Sequence, residues 1–140
     1  MTELTTGTAD VDLEHASAFL SATGLHLREV SASVVRGTID LGPHHHTPWG
    51  IVHGGVYTAA VETAASVGAT AKAAERGQIA VGVSNTTDFL RSMTGGTVSV
   101  EATPVQQGRT QQLWQVRIAD DQGRLVALGQ VRLQNVDRRV

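Results

Sequence analysis

The chain has 140 residues, of which 41% are hydrophobic and 17% charged, and its formal net charge is -2 with histidine neutral. This length fits one domain, because domains most often have about 100 to 150 residues. The chain has no cysteine, which excludes disulfide scaffolds, thiolate nucleophiles and cysteine-ligated zinc. The charge is near neutral and no run of basic residues occurs, so we expect no nucleic-acid partner.

The first ten residues, MTELTTGTAD, are polar and show neither the basic nor the apolar part of a signal peptide. No window of the chain comes near the 18 consecutive apolar residues of a membrane span. We therefore predict a disordered tail over residues 1–10, one domain over residues 11–140, a cytoplasmic location and no membrane partner.

Two kinds of periodicity follow each other in the first third of the chain. Residues 12–21, DLEHASAFLS, place Leu13, Ala16 and Leu20 at helical spacing, which predicts a short helix that ends at Gly24. Apolar and polar residues then alternate over residues 34–41, as is typical of a half-buried strand. We expect residues 25–31 to form a strand before it.

A long helix and a series of strands are predicted for the remainder. Residues 42–50, GPHHHTPWG, contain two prolines and two glycines and predict a loop, which leads into a helix over about residues 52–76. Alternation of side chains with a period of two residues, as in a strand, then returns at residues 79–83, 98–102, 114–118 and 125–133. Turn residues lie between these segments at 94–96, 106–108 and 120–123. Strands joined by hairpins form an antiparallel sheet, and the apolar helix must pack against it. The predicted class is α+β.

Glu62 is the only acidic residue between Gly50 and Ala74. It shares one helix face with residues 55, 58, 59, 65, 66 and 69, all of which are small. This pattern predicts vacant volume above a carboxylate, as in a cleft. The alternative is that Glu62 points to solvent or caps a neighbouring strand.

Two glycines, Gly54 and Gly55, begin this helix. The N–H groups of a first helical turn have no partner within the helix, and without a side chain they are open to a ligand carbonyl. The alternative is close packing of the helix on the sheet. For Gly68, close packing is the only explanation that we see.

Three segments carry a family resemblance: GIVHGGVYTAAVET, VGVSNTTDFLR and QQLWQVRIADDQGRLVALGQVRLQN. From about Leu25 onward, the chain resembles the hotdog-fold acyl-CoA thioesterases of the phenylacetate-pathway and Arthrobacter-type 4-hydroxybenzoyl-CoA branch. The central feature is His53-Gly54-Gly55 followed by an acidic residue seven positions after Gly55. The resemblance implies an antiparallel sheet wrapped around one central helix, and hydrolysis of a thioester to a free acid and CoA without a cofactor.

The resemblance also implies roles for individual residues. Glu62 corresponds to the family's carboxylate, which acts as nucleophile or as general base toward water, and the Gly54 N–H corresponds to the group that polarises the thioester carbonyl. Ser66 corresponds to a hydroxyl that can orient water. Thr47 stands where the family usually has Asn or Gln, so carbonyl polarisation is either weaker here or assisted by a neighbour such as His46.

Further implied features concern CoA and assembly. The family places its phosphate contacts around Arg91, Arg109 and Thr110. Gly54 and Glu62 are eight residues apart on one helix, about 12 Å of rise, so a Glu side chain cannot reach a carbonyl held at Gly54 of the same chain. We therefore expect a homo-oligomer with active sites between chains. The resemblance implies the same arrangement, with a homodimer that assembles to a homotetramer and with the strand near residues 79–89 pairing across the dimer.

The segment HHHTPWGIVH holds four of the six histidines. Consecutive side chains of a loop diverge, so no metal site is predicted, although imidazole is a common zinc ligand. We expect solvated loop residues here. The alternative is that His46 contacts the acyl group or the carbonyl of a substrate. We expect His53 to shape the helix start.

Two other functions remain open at this point. The first is a hotdog hydratase or dehydratase that uses His53 and Glu62. The second is a non-catalytic acyl-CoA binding protein, which would lack a functional carboxylate. The sequence does not distinguish an aromatic from an aliphatic acyl group, or CoA from an acyl carrier protein.

Overall fold

The structure is a computed structural model that describes residues 11–13 and 15–138, so the tail predicted for residues 1–10 lies outside the described residues. It has two α-helices, α1 (Ala18–Thr23) and α2 (Gly54–Ala73), and short 3-10 turns at Pro43–His45 and Ala74–Arg76. Its strands are β1 (His26–Val30), β2 (Val35–Leu41), β3 (Gln78–Phe89), β4 (Gly96–Gln107), β5 (Gln111–Ala119) and β6 (Leu125–Asp137).

The six strands form one antiparallel sheet in the order β1-β2-β4-β5-β6-β3. Helix α2 packs against this sheet, and its buried residues join those of the strands in one core. The predicted α+β class is confirmed. No helix in the described ranges is long and apolar enough to cross a membrane.

Strand β3 lies at the edge of the sheet, where it pairs with β6 rather than with β4. The turn residues at 94–96 suggested a hairpin between β3 and β4, and this prediction is wrong. The chain instead crosses from β3 at one edge of the sheet to β4, past β6 and β5. Local turn residues cannot show such a crossing, because the pairing of β3 with β6 is a contact between distant parts of the chain.

Helix α1 is shorter than predicted at its start. It begins at Ala18, because the Ser17 hydroxyl accepts a hydrogen bond from the Leu20 N–H at 3.1 Å and so caps the helix. It ends as predicted at Gly24, whose φ of 73° lies in the left-handed region that glycine adopts without strain.

The small residues of helix α2 bring it close to the sheet. A Cβ on Gly68 would lie 2.5 Å from Cη2 of Trp114, which confirms close packing as the reason for this glycine. Overfilling such a contact typically costs about 1–3 kcal/mol. Ala65 and Ala69 are fully buried in the same core. The prediction of vacant volume along the small-residue face is therefore wrong at Ala65 and Ala69, where the small side chains let the helix pack closely on the sheet.

The side chains of β3 do not follow the simple alternation expected from residues 79–83. Val81 and Val83 are 47% and 58% exposed, whereas Asn85 and Thr87 are partly buried. The register of β3 against β6 shifts between Gly82 and Ser84, and such a bulge changes which side chains face the helix. In the middle of this strand, Val81 and Val83 thus lie outward, whereas Asn85 and Thr87 face α2.

Candidate active site

The start of helix α2 is fixed by His53. This residue is the N-cap, and its Nδ1 accepts a hydrogen bond from the Gly55 N–H at 2.7 Å. A Cβ on Gly55 would lie only 2.8 Å from that Nδ1, so the cap requires a residue without a side chain at this position. His53 therefore shapes the helix start, as the sequence suggested, and Gly55 uses its N–H within the chain.

Gly54 lies directly beneath the last residue of β3. A Cβ on Gly54 would be 2.7 Å from Cε2 of Phe89, whose ring is 55% exposed and tilted against Tyr57 at 6.2 Å between centroids. The close packing considered for Gly54 thus occurs. Its N–H, at the first helical position, is also one of the donors that a helix cannot satisfy internally.

The Tyr57 hydroxyl is buried and has no hydrogen-bond partner within the described part of the chain. Burial raises the pKa of this phenol to about 12, because the charged form would lose its hydration. Tyr57 is therefore neutral at physiological pH and packs as an aromatic residue between helix and sheet.

Glu62 is half-buried on the flank of α2 that faces the edge strand. Its Oε1 accepts a hydrogen bond from Asn85 Nδ2 at 3.1 Å, and its Oε2 lies 3.4 Å from the donating Ser66 hydroxyl. A Cβ on Gly82 would overlap Glu62 Oε2, so the carboxylate fits against β3 only because residue 82 is glycine. The carboxylate is thus held between one helix turn and the edge strand.

Sequence reasoning missed the partners on β3. Asn85 and Gly82 belong to the quoted segment VGVSNTTDFLR, but neither was singled out. A signal was present, because Asn85 and Thr87 are polar residues at alternate positions of a strand next to a buried helix. Thr58, one turn before Glu62 on the same helix face, does not bind this carboxylate through its hydroxyl, which donates to the Gly54 carbonyl at 3.3 Å.

Thr47 holds the turn before the helix. Its Oγ1 accepts a hydrogen bond from the Trp49 N–H at 3.2 Å, and its own N–H donates to the Ile51 carbonyl at 2.7 Å. Trp49, at the tip of this turn, is 84% exposed. An Asn or Gln side chain at position 47 would reach further than this threonine, whose oxygen is engaged by the turn.

The three consecutive histidines have different environments. The expectation of solvated side chains is wrong for His45, which is buried: its Nδ1 accepts from the Gly42 N–H at 3.2 Å and its Nε2 donates to the Ala22 carbonyl at 3.0 Å. His46 Nε2 donates to the Thr94 carbonyl at 2.7 Å, which ties this loop to the segment before β4. Within the described residues, no group of three or more potential ligands could hold a metal ion.

The residues expected around the CoA phosphates lie at opposite ends of the sheet. The Arg91 N–H donates to the Val126 carbonyl, whereas the Thr110 carbonyl, next to Arg109, accepts from the Asn135 N–H. Val126 and Asn135 are nine positions apart on β6, about 30 Å at the usual rise. One chain therefore cannot bring Arg91 and Arg109 to the same phosphate group, and the phosphate contacts expected at these residues stay a prediction.

Gly54 and Glu62 are also not brought together within one chain, since both belong to α2. The same holds for His53 and Glu62, the pair that a hydratase would use: they are nine residues apart along the sequence, about 13 Å at the helical rise. The described chain thus presents a helix N-terminus and a carboxylate as two separate candidate groups, and both lie beside β3.

The family model of the Thioesterase superfamily matches residues 50–127, which are more than half of the chain and include Gly54 and Glu62. The chain belongs to this superfamily. Over 123 residues it is 46% identical to a Mycobacterium tuberculosis protein, Rv1847, that is provisionally named an esterase, and the match covers 86% of this chain and 88% of that one. The solved structure of Rv1847 has a TM-score of 0.84 at 45% identity and covers 89% of this chain and all of that one.

Other relatives carry more specific names. The structure of the Haemophilus influenzae thioesterase HI1161 has a TM-score of 0.81 at 25% identity, covering 92% of this chain and 93% of that one. A Listeria monocytogenes protein named 1,4-dihydroxy-2-naphthoyl-CoA hydrolase is 35% identical over 83 residues, which are 59% of this chain and 67% of that one. The hotdog fold is thereby confirmed, and the chain is a hydrolase of the thioesterase class.

His45 should make the stability of this thioesterase-superfamily member depend on pH. Burial lowers the pKa of His45 below its ordinary value of 6.5, and the neighbouring His44 and His46 act in the same direction. The unfolded chain therefore binds this proton more readily, so the contribution of neutral His45 is present above pH 6.5 and is lost as the pH falls below it. We expect the free energy of unfolding to fall by up to about 1.4 kcal/mol per pH unit there.

Denaturant unfolding between pH 7.5 and 5 would measure this effect in wild type, His45→Gln and, as the control, His44→Gln, which changes an exposed neighbour. The His45→Gln variant should lose this part of the pH dependence, and the control should keep most of it, because burial is the larger cause of the lowered pKa of His45. Identical slopes for all three proteins would contradict the prediction.

Proposed function

We propose that the protein is an acyl-CoA thioesterase in which Glu62 of one chain and the Gly54 N–H of a second chain act on the same thioester. The observation that carries the proposal is the placement of Glu62. Asn85 and Ser66 hold its carboxylate against the edge strand, and the side chain is partly exposed to solvent. A carboxylate in this setting is suited to act as a base or nucleophile, because its partners orient it without neutralising it.

The reaction adds water to a thioester. Either Glu62 takes a proton from water while the water oxygen attacks the carbonyl carbon, or Glu62 attacks directly and water then cleaves the resulting anhydride. The Gly54 N–H would donate to the oxygen that becomes negative in the transition state, a contribution that the helix N-terminus reinforces. The carbon–sulfur bond breaks, the thiolate takes up a proton, and the products are a free acid and CoA.

A CoA ester is proposed as the substrate on two grounds. The segments quoted above resemble the phenylacetate-pathway and Arthrobacter-type 4-hydroxybenzoyl-CoA branch, and the Listeria relative is named for hydrolysis of a CoA ester. A panel of acyl-CoA esters that vary in chain length and aromaticity, assayed by release of free thiol, would define the acyl group.

The proposed dimer uses β3, which is 12 residues long, lies at the sheet edge and exposes Val81, Val83 and Phe89. Helix α2 runs antiparallel to β3, since Gly54 is near Phe89 while Glu62 is near Gly82. Antiparallel pairing of β3 with its copy would therefore bring the N-terminal part of each helix toward Glu62 of the other chain. The outward Val81 and Val83 offer an apolar surface on which two such dimers could form the tetramer.

This dimer would also bring Arg91 of one chain closer to Arg109 of the other than the two residues are within one chain. In the sheet formed by both chains, Arg91 of one chain follows the C-terminal end of β3. This strand end lies at the same end of the sheet, along the strand direction, as the β4–β5 turn of the other chain, which carries Arg109 and Thr110. We propose that CoA phosphates bind there, between chains, because guanidinium groups form paired hydrogen bonds with phosphate oxygens.

The chemical step is tested by Glu62→Gln. This change keeps the shape of the side chain and removes the charge, so kcat for acyl-CoA hydrolysis should fall by about a hundredfold or more, the typical loss for a general base. The control is Glu75→Gln, which changes an exposed carboxylate paired with Lys72 at 3.2 Å. If the folded Glu62→Gln protein keeps its rate within a few-fold of wild type, Glu62 has no catalytic role.

The shared active site is tested by mixing two inactive variants. Gly54→Pro removes the N–H at the first helical position, where proline is tolerated, and His53 before it already has the extended conformation that proline requires (φ -66°, ψ 132°). Gly54→Ala is the matched control, because it adds a Cβ beneath Phe89 but keeps the N–H.

Gly54→Pro and Glu62→Gln should each be inactive, and co-refolding them in equal amounts should restore about a quarter of the wild-type activity, since half of the dimers then hold one intact site of two. Light scattering should show a dimer or larger assembly. An active monomer, or a mixture no more active than its parts, would show that the site is not shared.

CoA recognition is tested by Arg91→Ala and Arg109→Ala. Loss of a charged phosphate contact should raise KM for CoA esters by about tenfold and leave KM for small thioesters without a nucleotide nearly unchanged. Arg117→Ala, at an exposed position in the middle of β5, is the control. Equal effects on both substrate types would refute the assignment.

A further inference from the structure

Asn85 is the centre of a hydrogen-bond network on the inner side of β3. Its Nδ2 donates to Glu62 Oε1 at 3.1 Å and to the Thr58 carbonyl at 3.2 Å. Its Oδ1 accepts from the Thr87 hydroxyl at 2.7 Å. Both amide protons and the amide oxygen are thus used at one time.

This arrangement permits one orientation of the Asn85 amide. Rotating the amide by 180° would point its oxygen at the Glu62 carboxylate and the Thr58 carbonyl, neither of which can donate a hydrogen bond. Thr87 reinforces the observed orientation because its hydroxyl donates to Oδ1. The donor that faces Glu62 is therefore fixed by the network.

The network makes the two oxygens of Glu62 unequal. Oε1 accepts a direct hydrogen bond from an amide group that is itself held in place. Oε2 has only the long 3.4 Å contact with the Ser66 hydroxyl and lies against Gly82, where there is no side chain. Oε2 is thus the oxygen with the weaker hydrogen bond and with lone pairs still available, and it packs closely against Gly82.

We infer that Asn85, oriented by Thr87, is a positioning residue that binds Oε1 of Glu62 and leaves Oε2 as the oxygen that reacts. This inference rests on the proposed function, in which Glu62 acts on water or on the thioester. It also explains why β3 has polar side chains on the inside and apolar ones on the outside. Asn85 and Thr87 occupy partly buried positions beside the helix, whereas Val81 and Val83 are exposed. Polar side chains at such positions are costly unless they are hydrogen-bonded.

The test compares Asn85→Leu and Thr87→Val with wild type in steady-state hydrolysis of an acyl-CoA ester. Asn85→Leu removes the donor to Oε1 at similar volume, and Thr87→Val removes the group that orients the amide. Both should lower kcat, Asn85→Leu by about tenfold to a hundredfold, the scale of a slightly misplaced catalytic group. KM should change by no more than a few-fold, because neither residue is placed at the CoA contacts. The control is Thr86→Val, the same substitution at the exposed neighbouring position, which should leave kcat unchanged.

A second comparison separates positioning from a general loss of structure. In a Glu62→Gln background, Asn85→Leu should cause no further loss of kcat, since the group that it positions is already gone. A further loss equal to that in wild type would overturn the inference, as would a kcat for Asn85→Leu within twofold of wild type. If Asn85→Leu does not fold, as judged by circular dichroism, the same double-variant comparison with Thr87→Val decides the question. A Glu62→Gln enzyme with full activity would instead reject the proposed function itself.

Discussion

The close approach of helix α2 to the sheet is the constraint on which the rest of the molecule depends. Glycine occurs on both sides of this contact: a Cβ on Gly68 would meet Trp114, and a Cβ on Gly129 of β6 would lie 2.6 Å from Cγ1 of Val61. Interiors are packed nearly as densely as organic crystals, so a helix this close has little freedom to rotate. The direction in which Glu62 points is therefore set by residues elsewhere on the helix.

Buried polar contacts support the same placement. Gln112, which is 1% exposed, donates from Nε2 to the Ala69 carbonyl at 2.9 Å and accepts at Oε1 from Trp114 Nε1 at 2.8 Å. A buried amide left without partners would cost about 1–3 kcal/mol, so this bond favours one position of the helix over shifted ones. The second half of α2 is held to the middle of the sheet, and the first half carries the residues of the candidate site.

The sequence predicted the parts of this fold that depend on local patterns. The helix expected at about 52–76 is Gly54–Ala73, and all six strands occur near their expected places. The position of β3 at the sheet edge could not be predicted, because it depends on pairing between distant segments. The burial of His45 was missed for a similar reason, since its partner Ala22 is 23 residues earlier in the chain. At the site, Glu62 was found from its isolation among small residues, whereas Asn85 required knowledge of which face of β3 meets the helix.

The bulge between Gly82 and Ser84 has a consequence for assembly as well as for the side chains around it. A regular strand can pair with its copy in several alignments that differ by two residues, because each shift keeps the same side chains on the same face. An irregularity breaks that equivalence, since the extra residue leaves the hydrogen-bonding groups unevenly spaced at one point. In a pair of β3 strands the bulge would therefore favour one register through the backbone hydrogen bonds alone, independently of the side chains.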